Sequence, residues 1–214
     1  KIVLAPANKE NGFCAMPDEN VKADIIYLCS PNNPTGNNLN IDEMIKVIQQ
    51  FQGIVIVDEA YIDFSSQKSF RHAIKACPNL IVLHTMSKAW ASAAIRLGMA
   101  FASKEIIDIF NKVKYPYNVN ELTQRQALET LQDPFAIDKQ VRMLLNERNR
   151  MAEAFSMLPI CEEVYPSDAN FFLARMTDAH GIYQYLVKRG IIVRNRSKIS
   201  LCNNTHFRDR ECFR

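Results

Sequence analysis

Short apolar runs that end in polar, reactive residues recur along the first half of the chain. Residues 24–29 (Asp24-Ile25-Ile26-Tyr27-Leu28-Cys29) predict a strand, cut off by Ser30-Pro31-Asn32-Asn33-Pro34-Thr35-Gly36, whose two prolines and glycine bar regular structure. Behind Asn40, the apolar positions Ile41, Met44, Ile45, Val47, Ile48 and Phe51 recur at helical spacing. They predict a helix over 41–51, capped by Asn40 and closed by Gly53. Ile54-Val55-Ile56-Val57 is a continuous β-branched run, which predicts a strand buried on both faces that delivers Asp58-Glu59-Ala60-Tyr61 at its carboxyl end. After a helical or irregular crossover over 69–77, Leu80-Ile81-Val82-Leu83 predicts another buried strand, ending at His84-Thr85-Met86-Ser87-Lys88-Ala89-Trp90. Strand, helix, strand, crossover, strand implies a mainly parallel sheet with right-handed connections, an α/β arrangement. A further strand over 96–102 and a helix over 104–112 follow, before Tyr115-Pro116-Tyr117 breaks the pattern.

From Asn118 onward the pattern changes. Residues 121–131 read as a helix, and Pro134 sits as the first residue of a long helix reaching about Leu158, with Asp133 as its cap. Strands over 164–165, 171–176 and 191–194 and a helix over 179–188, ended by Gly190, make a small α+β unit. The expected organisation is therefore part of a large domain over 1–117, a helical connection over 118–158 and a small C-terminal domain over 159–214. A strand remnant at 2–5 and a loop over 8–20 precede the first firm strand.

Composition narrows the class. With 214 residues, 48% hydrophobic and 23% charged, the chain has enough apolar side chain for a real core. It contains no uninterrupted run of about eighteen apolar residues, so no membrane span is expected. No basic segment or long apolar run follows Lys1, and no targeting signal is visible. The six cysteines (Cys14, Cys29, Cys77, Cys161, Cys202, Cys212) include no C-x-x-C pair, which points to reduced thiols in the cytoplasm rather than a zinc site or disulfide framework. The four histidines are equally scattered, so no metal is expected. A net charge of +3 is too small to argue for nucleic acid, even though residues 188–214 carry eight basic and two acidic residues.

The chemistry converges on Lys88, placed just beyond a buried strand where open α/β sheets bind ligands. A desolvated lysine amine can lose its proton and attack a carbonyl to form a Schiff base. Hydroxyls at Thr85 and Ser87 with a cation at Arg96 can hold a phosphate. Asp58, from the neighbouring strand end, can keep a ring nitrogen protonated, and the Tyr61 hydroxyl and Asn33 amide can donate to a phenolate oxygen. These are the demands of pyridoxal phosphate. Singly, each has an ordinary structural explanation: a helix cap, a turn asparagine, a packed tyrosine, a surface lysine. Jointly, each after an apolar strand and in this order, they are hard to obtain by accident.

The stretches 30–36, Val57-Asp58-Glu59-Ala60-Tyr61 and Thr85-Met86-Ser87-Lys88-Ala89 with Arg96 resemble those of the fold-type I pyridoxal-phosphate aminotransferases. Within that family, Asp58-Glu59-Ala60-Tyr61-Ile62-Asp63-Phe64, Tyr117-Asn118-Val119-Asn120, Ser167-Asp168-Ala169-Asn170-Phe171 and Gly190-Ile191-Ile192-Val193-Arg194 are most similar to the histidinol-phosphate aminotransferases. The resemblance implies Lys88 as the Schiff-base lysine and proton carrier, and Asp58 against the pyridine nitrogen. It places Tyr61 and Asn33 at the phenolate oxygen, Thr85, Ser87 and Arg96 at the cofactor phosphate, and Arg194 at the phosphate of histidinol phosphate. It further implies small-molecule substrates, transamination with 2-oxoglutarate in histidine biosynthesis, and a homodimer whose sites are completed by the partner.

Departures from the family pattern matter too. The family's large domain begins well upstream of Lys1, so part of the cofactor cup is expected to lie outside this chain. Trp90 and Ala94 stand where phenylalanine and glycine are usual. After Ser200-Leu201-Cys202 the expected apolar strand and its arginine are replaced by residues 203–214, which reads as a shift of reading frame near Asn203; Arg208 does not take the missing arginine's place. Rival readings are a related pyridoxal-phosphate enzyme (a phosphothreonine decarboxylase or aromatic aminotransferase), an inert truncated domain, and, last, a nucleic-acid-binding module.

Overall fold

The computed structural model describes residues 16–17 and 22–197 and the backbone of Glu211–Phe213. The expectations for residues 2–5, for most of 8–20 and for the frame shift near Asn203 lie outside them. The first sheet has four strands in the order β1-β2-β3-β4: β1 (Ile25–Cys29), β2 (Ile54–Asp58), β3 (Leu80–Thr85) and β4 (Gly98–Phe101). The first three are parallel and β4 runs antiparallel to β3, with Thr85 opposite Gly98. This is the mainly parallel α/β sheet expected, with one antiparallel edge.

One face of the sheet is the core. Leu28, Val55, Val57, Leu80 and Val82 pack with Met44 and Ile48 of α1 (Ile41–Gln50), joined by Leu39, Phe70 and Cys77. Burying each such side chain stabilises the fold by about 1.5–3 kcal/mol. The opposite face is more open: Ile25 and Tyr27 are exposed and Ile54, Ile56 and Asp58 only partly buried. The β-branched run of β2 is thus fully buried on one side, not on both. Alternation wins here because only the α1 side is covered among the described residues.

Local signals set the helix starts. The Asn40 side chain accepts from the backbone N–H of Asp42 and Glu43, as its position before the periodic run predicts. Gly53 does not cap α1. Phe51 does so in extended conformation, and a Cβ at Gly53 would meet the Asp24 carbonyl oxygen at 2.3 Å, so this glycine is needed for the close approach of two strands. The Asn79 amide lies 3.0–3.2 Å from the carbonyl oxygens of Ile48, Phe51 and Gly53 and ties the end of α1 to the start of β3.

Beyond the sheet come α2 (Lys104–Val113), α3 (Glu121–Thr130) and the 23-residue α4 (Pro134–Ser156), whose Asp133 cap accepts from Ala136 N. A second, antiparallel sheet holds β5 (Cys161–Val164), β6 (Ala174–Met176) and β7 (Glu211–Phe213), with α5 (Ala179–Val187) following β6. Three expectations shift. The strand predicted at 164–165 lies at β5, and the one predicted over 171–176 begins only at Ala174. Residues 191–194 form no strand; a single bridge residue, Asn195, follows them. Gly190 takes a left-handed φ of 75° just after α5, as its predicted position requires.

Candidate functional site

The carboxyl ends of β1, β2 and β3 lie side by side because the strands are parallel and in register, with Cys29 beside Asp58 and Asp58 beside Leu83. The loops leaving them carry the predicted residues. After β1, the turn 30–36 contains cis peptides before Pro31 and Pro34 and a left-handed Gly36 at φ 84°. Ser30 is buried and its hydroxyl accepts from Leu39 N, while Asn32 Nδ2 donates to Thr35 Oγ1 at 2.7 Å, so the turn is rigid from within. It presents Asn33, whose amide donates to the Tyr61 hydroxyl at 3.2 Å.

Tyr61, three residues past β2, is 4% exposed. It packs edge-on against Phe171 with ring centroids 5.2 Å apart. The Lys88 ammonium lies 5.2 Å from the centre of the same tyrosine ring, within cation–π reach. Asn33, Tyr61 and Lys88 are therefore gathered at one point from three strand ends.

Asp58 is the last residue of β2. One of its oxygens accepts from Ala60 N at 3.0 Å and the other from the Tyr27 hydroxyl at 2.6 Å. Next to it in sequence, Glu59 goes the other way: fully buried, it accepts from the Ser69 hydroxyl at 2.5 Å and from Phe70 N at 2.6 Å. Burial pushes its carboxyl above the ordinary range, partly offset by those two donors. Alternation along the strand end thus gives one acid to the open face and one to the core. His84, also turned to the core, pairs with Asp63 at 3.0 Å.

At the end of β3, Thr85 and Ser87 place their hydroxyl oxygens 3.0 Å apart, and Ser87 N donates to Thr85 Oγ1. The turn is closed by Ser92 N on Met86 O, with Ala91 and Arg96 both left-handed. Arg96 is exposed and its guanidinium donates to Ala93 O. Its neighbour Leu97 accepts from Met86 N at 3.2 Å and lies 3.3 Å from the Thr85 hydroxyl, which holds the arginine's backbone beside the hydroxyl pair. Arg194 is not gathered in. It is exposed on the irregular run after α5, and no described hydrogen bond or ion pair links it to the other residues.

Sequence reasoning missed part of the site's frame. Ser167 and Asp168 dock onto the turn after β1: Asp168 N donates to Gly36 O at 2.7 Å and its carboxylate accepts from Asn38 N at 2.9 Å. A Cβ on Gly36 would meet the Ser167 hydroxyl at 2.4 Å, so glycine is required both by φ and by this seam. Tyr61, Phe64, Ala89, Val141 and Ala169 form a small apolar cluster behind the site, with Phe171 and Trp90 against it. The Ser167–Phe171 motif was the available signal, but nothing local says what it touches.

A pyridoxal phosphate fits this donor set. The hydroxyl pair of Thr85 and Ser87, with the backbone of Arg96 held beside it, suits a phosphate, an acid on the open face suits a pyridinium, and an amide and a phenol beside the lysine suit a phenolate oxygen.

Residues 10–214 match the family described as aminotransferase class I and II. The histidinol-phosphate aminotransferase of Bacteroides fragilis is 59% identical over 190 residues, covering 89% of this chain and 54% of that protein. The crystal structure of the histidinol-phosphate aminotransferase from Clostridium acetobutylicum is 27% identical with a TM-score of 0.79, over 89% of this chain and 58% of that one. The Sinorhizobium meliloti histidinol-phosphate aminotransferase, solved in complex with pyridoxal-5'-phosphate, shares the fold at 20% identity and a TM-score of 0.74, over 89% and 52%. The chain spans about half the length of the relatives it matches.

Proposed function

The chain belongs to the class I and II aminotransferase family, and from that premise we propose that it is the lysine-bearing part of a pyridoxal-phosphate-dependent transaminase acting on histidinol phosphate and 2-oxoglutarate. The observation that carries the chemistry is the convergence of Lys88, Tyr61 and Asn33 at the carboxyl edge of a parallel sheet. The substrate rests on the 59% identity to a histidinol-phosphate aminotransferase.

When bound, the cofactor supplies an aldehyde for an amine and a cationic ring that withdraws electrons. Lys88 carries a proton to and from the substrate Cα. Asp58 holds the proton on the ring nitrogen by favouring the charged form. The Tyr61 hydroxyl and Asn33 amide donate to the phenolate oxygen, while Tyr61 and Phe171 keep that side dry. Thr85, Ser87 and Arg96 hold the cofactor phosphate, and Arg194 reaches the substrate phosphate, guanidinium being suited to bidentate phosphate binding. The protein works in the cytoplasm as a homodimer, for which exposed Val113, Tyr115, Tyr117 and Leu122 offer apolar surface.

The test uses the native polypeptide with pyridoxal phosphate. Borohydride reduction is expected to leave an adduct on Lys88 by mass spectrometry, and Lys88→Ala to lose both the adduct and at least about a thousandfold of the rate. Half-reactions with histidinol phosphate, phosphothreonine and phenylalanine are expected to favour the first. No adduct on Lys88 would overturn the chemistry, and no preference for histidinol phosphate would overturn the substrate.

A further inference from the structure

We infer that Tyr27 is a positioning residue of this site, acting through Asp58. The inference rests on the reading that Asp58 faces the cofactor ring nitrogen. Tyr27 sits in β1 opposite Ile56 of β2, two residues before Asp58 and on the same open face. Its hydroxyl donates to Asp58 Oδ2 at 2.6 Å, while Ala60 N donates to Oδ1 at 3.0 Å. Both carboxylate oxygens are held, so the side chain has one orientation set by two elements.

The contact also sets where a proton resides. A proton shared between a carboxylate and a ring nitrogen moves toward the nitrogen when a donor stabilises the carboxylate. The tyrosine remains a donor at physiological pH, because burial and then the Asp58 hydrogen bond push its hydroxyl pKa up. Among the described residues no packing in the core accounts for Tyr27, which is 53% exposed and faces away from α1. Phenylalanine keeps the ring and deletes only the donor.

The experiment is a cycle on the native polypeptide: wild type, Tyr27→Phe, Asp58→Ala and the double variant, each titrated with pyridoxal phosphate. Each is checked for an unchanged urea midpoint relative to its own background after Tyr27→Phe. Tyr27→Phe is expected to weaken cofactor binding about tenfold in wild type and to have no effect once Asp58 is alanine. In cofactor labelled with 15N at the ring, it is also expected to shift the nitrogen resonance toward the unprotonated position. Equal weakening in both backgrounds, or no weakening with an unmoved resonance, overturns the inference while leaving Asp58's role intact. If Asp58→Ala itself leaves cofactor binding unchanged, the reading of Asp58 fails instead.

Discussion

The sheet unit from β1 to β4 and the helical stretch that follows it are built on different terms. Met44, Ile48, Val55, Val57, Leu80, Val82 and Met86 are fully buried, and all belong to the first. In the second, α2 buries no residue and the 23 residues of α4 bury only Val141, while Tyr117 and Phe135 are 96% and 85% exposed. The first region is therefore fixed by packing and the second chiefly by caps, spacing and a few docking contacts. The site lies where they meet: Gln140 of α4 donates to Ala89 O beside Lys88, and Arg148 donates to Ala169 O in the loop that grips the turn after β1. A rigid sheet edge supplies the chemical groups, and a more loosely held region closes them in.

The contrast is broken most sharply by truncating one leucine in each region. Leu80→Ala, at 0% exposure in β3, is expected to cost about 2–5 kcal/mol in urea unfolding, through lost burial and a cavity in the core beside α1. Leu128→Ala, on the exposed side of α3, is expected to change stability by less than about 0.5 kcal/mol. Equal costs would mean that the second region is as tightly packed as the first.

A smaller effect concerns Glu59, the buried acid just past the end of β2. Glu59 has its folded pKa raised by burial, so its contribution is fully present below the unfolded value and is lost as pH rises through the folded one. Glu59→Gln stays neutral while keeping an acceptor for Phe70 N. The stability of wild type relative to this variant is therefore expected to fall as pH rises above the ordinary carboxylate range, read by urea unfolding at a series of pH values. A difference that grows with pH would show that Ser69 and Phe70, not desolvation, dominate.

How much of this was legible in the sequence follows the same division. The strands were readable from β-branched runs and the starts of α1 and α4 from Asn40 and Asp133, because those signals are local. Asn33, Asp58, Tyr61, Thr85, Ser87 and Lys88 stood out because each closely follows an apolar strand, and a parallel sheet must then line up the strand ends. Tyr27 did not stand out. In sequence it is one alternating strand residue, and only the β1–β2 register brings it to Asp58. Gly53 looked like a helix stop until Asp24 arrived beside it. Each miss concerns a partner distant in sequence, which no local pattern encodes.

The caps give the finest version of the contrast. Asn40 and Asp133 both accept from backbone N–H groups of the first helical turn, and removing either oxygen should cost about 1 kcal/mol in principle. The two losses should be read out differently. α1 is clamped by the core through Met44 and Ile48, so Asn40→Ala is expected to lower global stability by that amount while amide exchange along the helix stays slow. α4 has little burial near its start, where Phe135 is exposed, so Asp133→Ala is expected to fray the first turn of α4 and speed exchange there, with a smaller change in the urea midpoint. Slow exchange at the start of α4 after Asp133→Ala would mean that packing, and not the cap, holds that end, and the division between the two regions would not extend to α4.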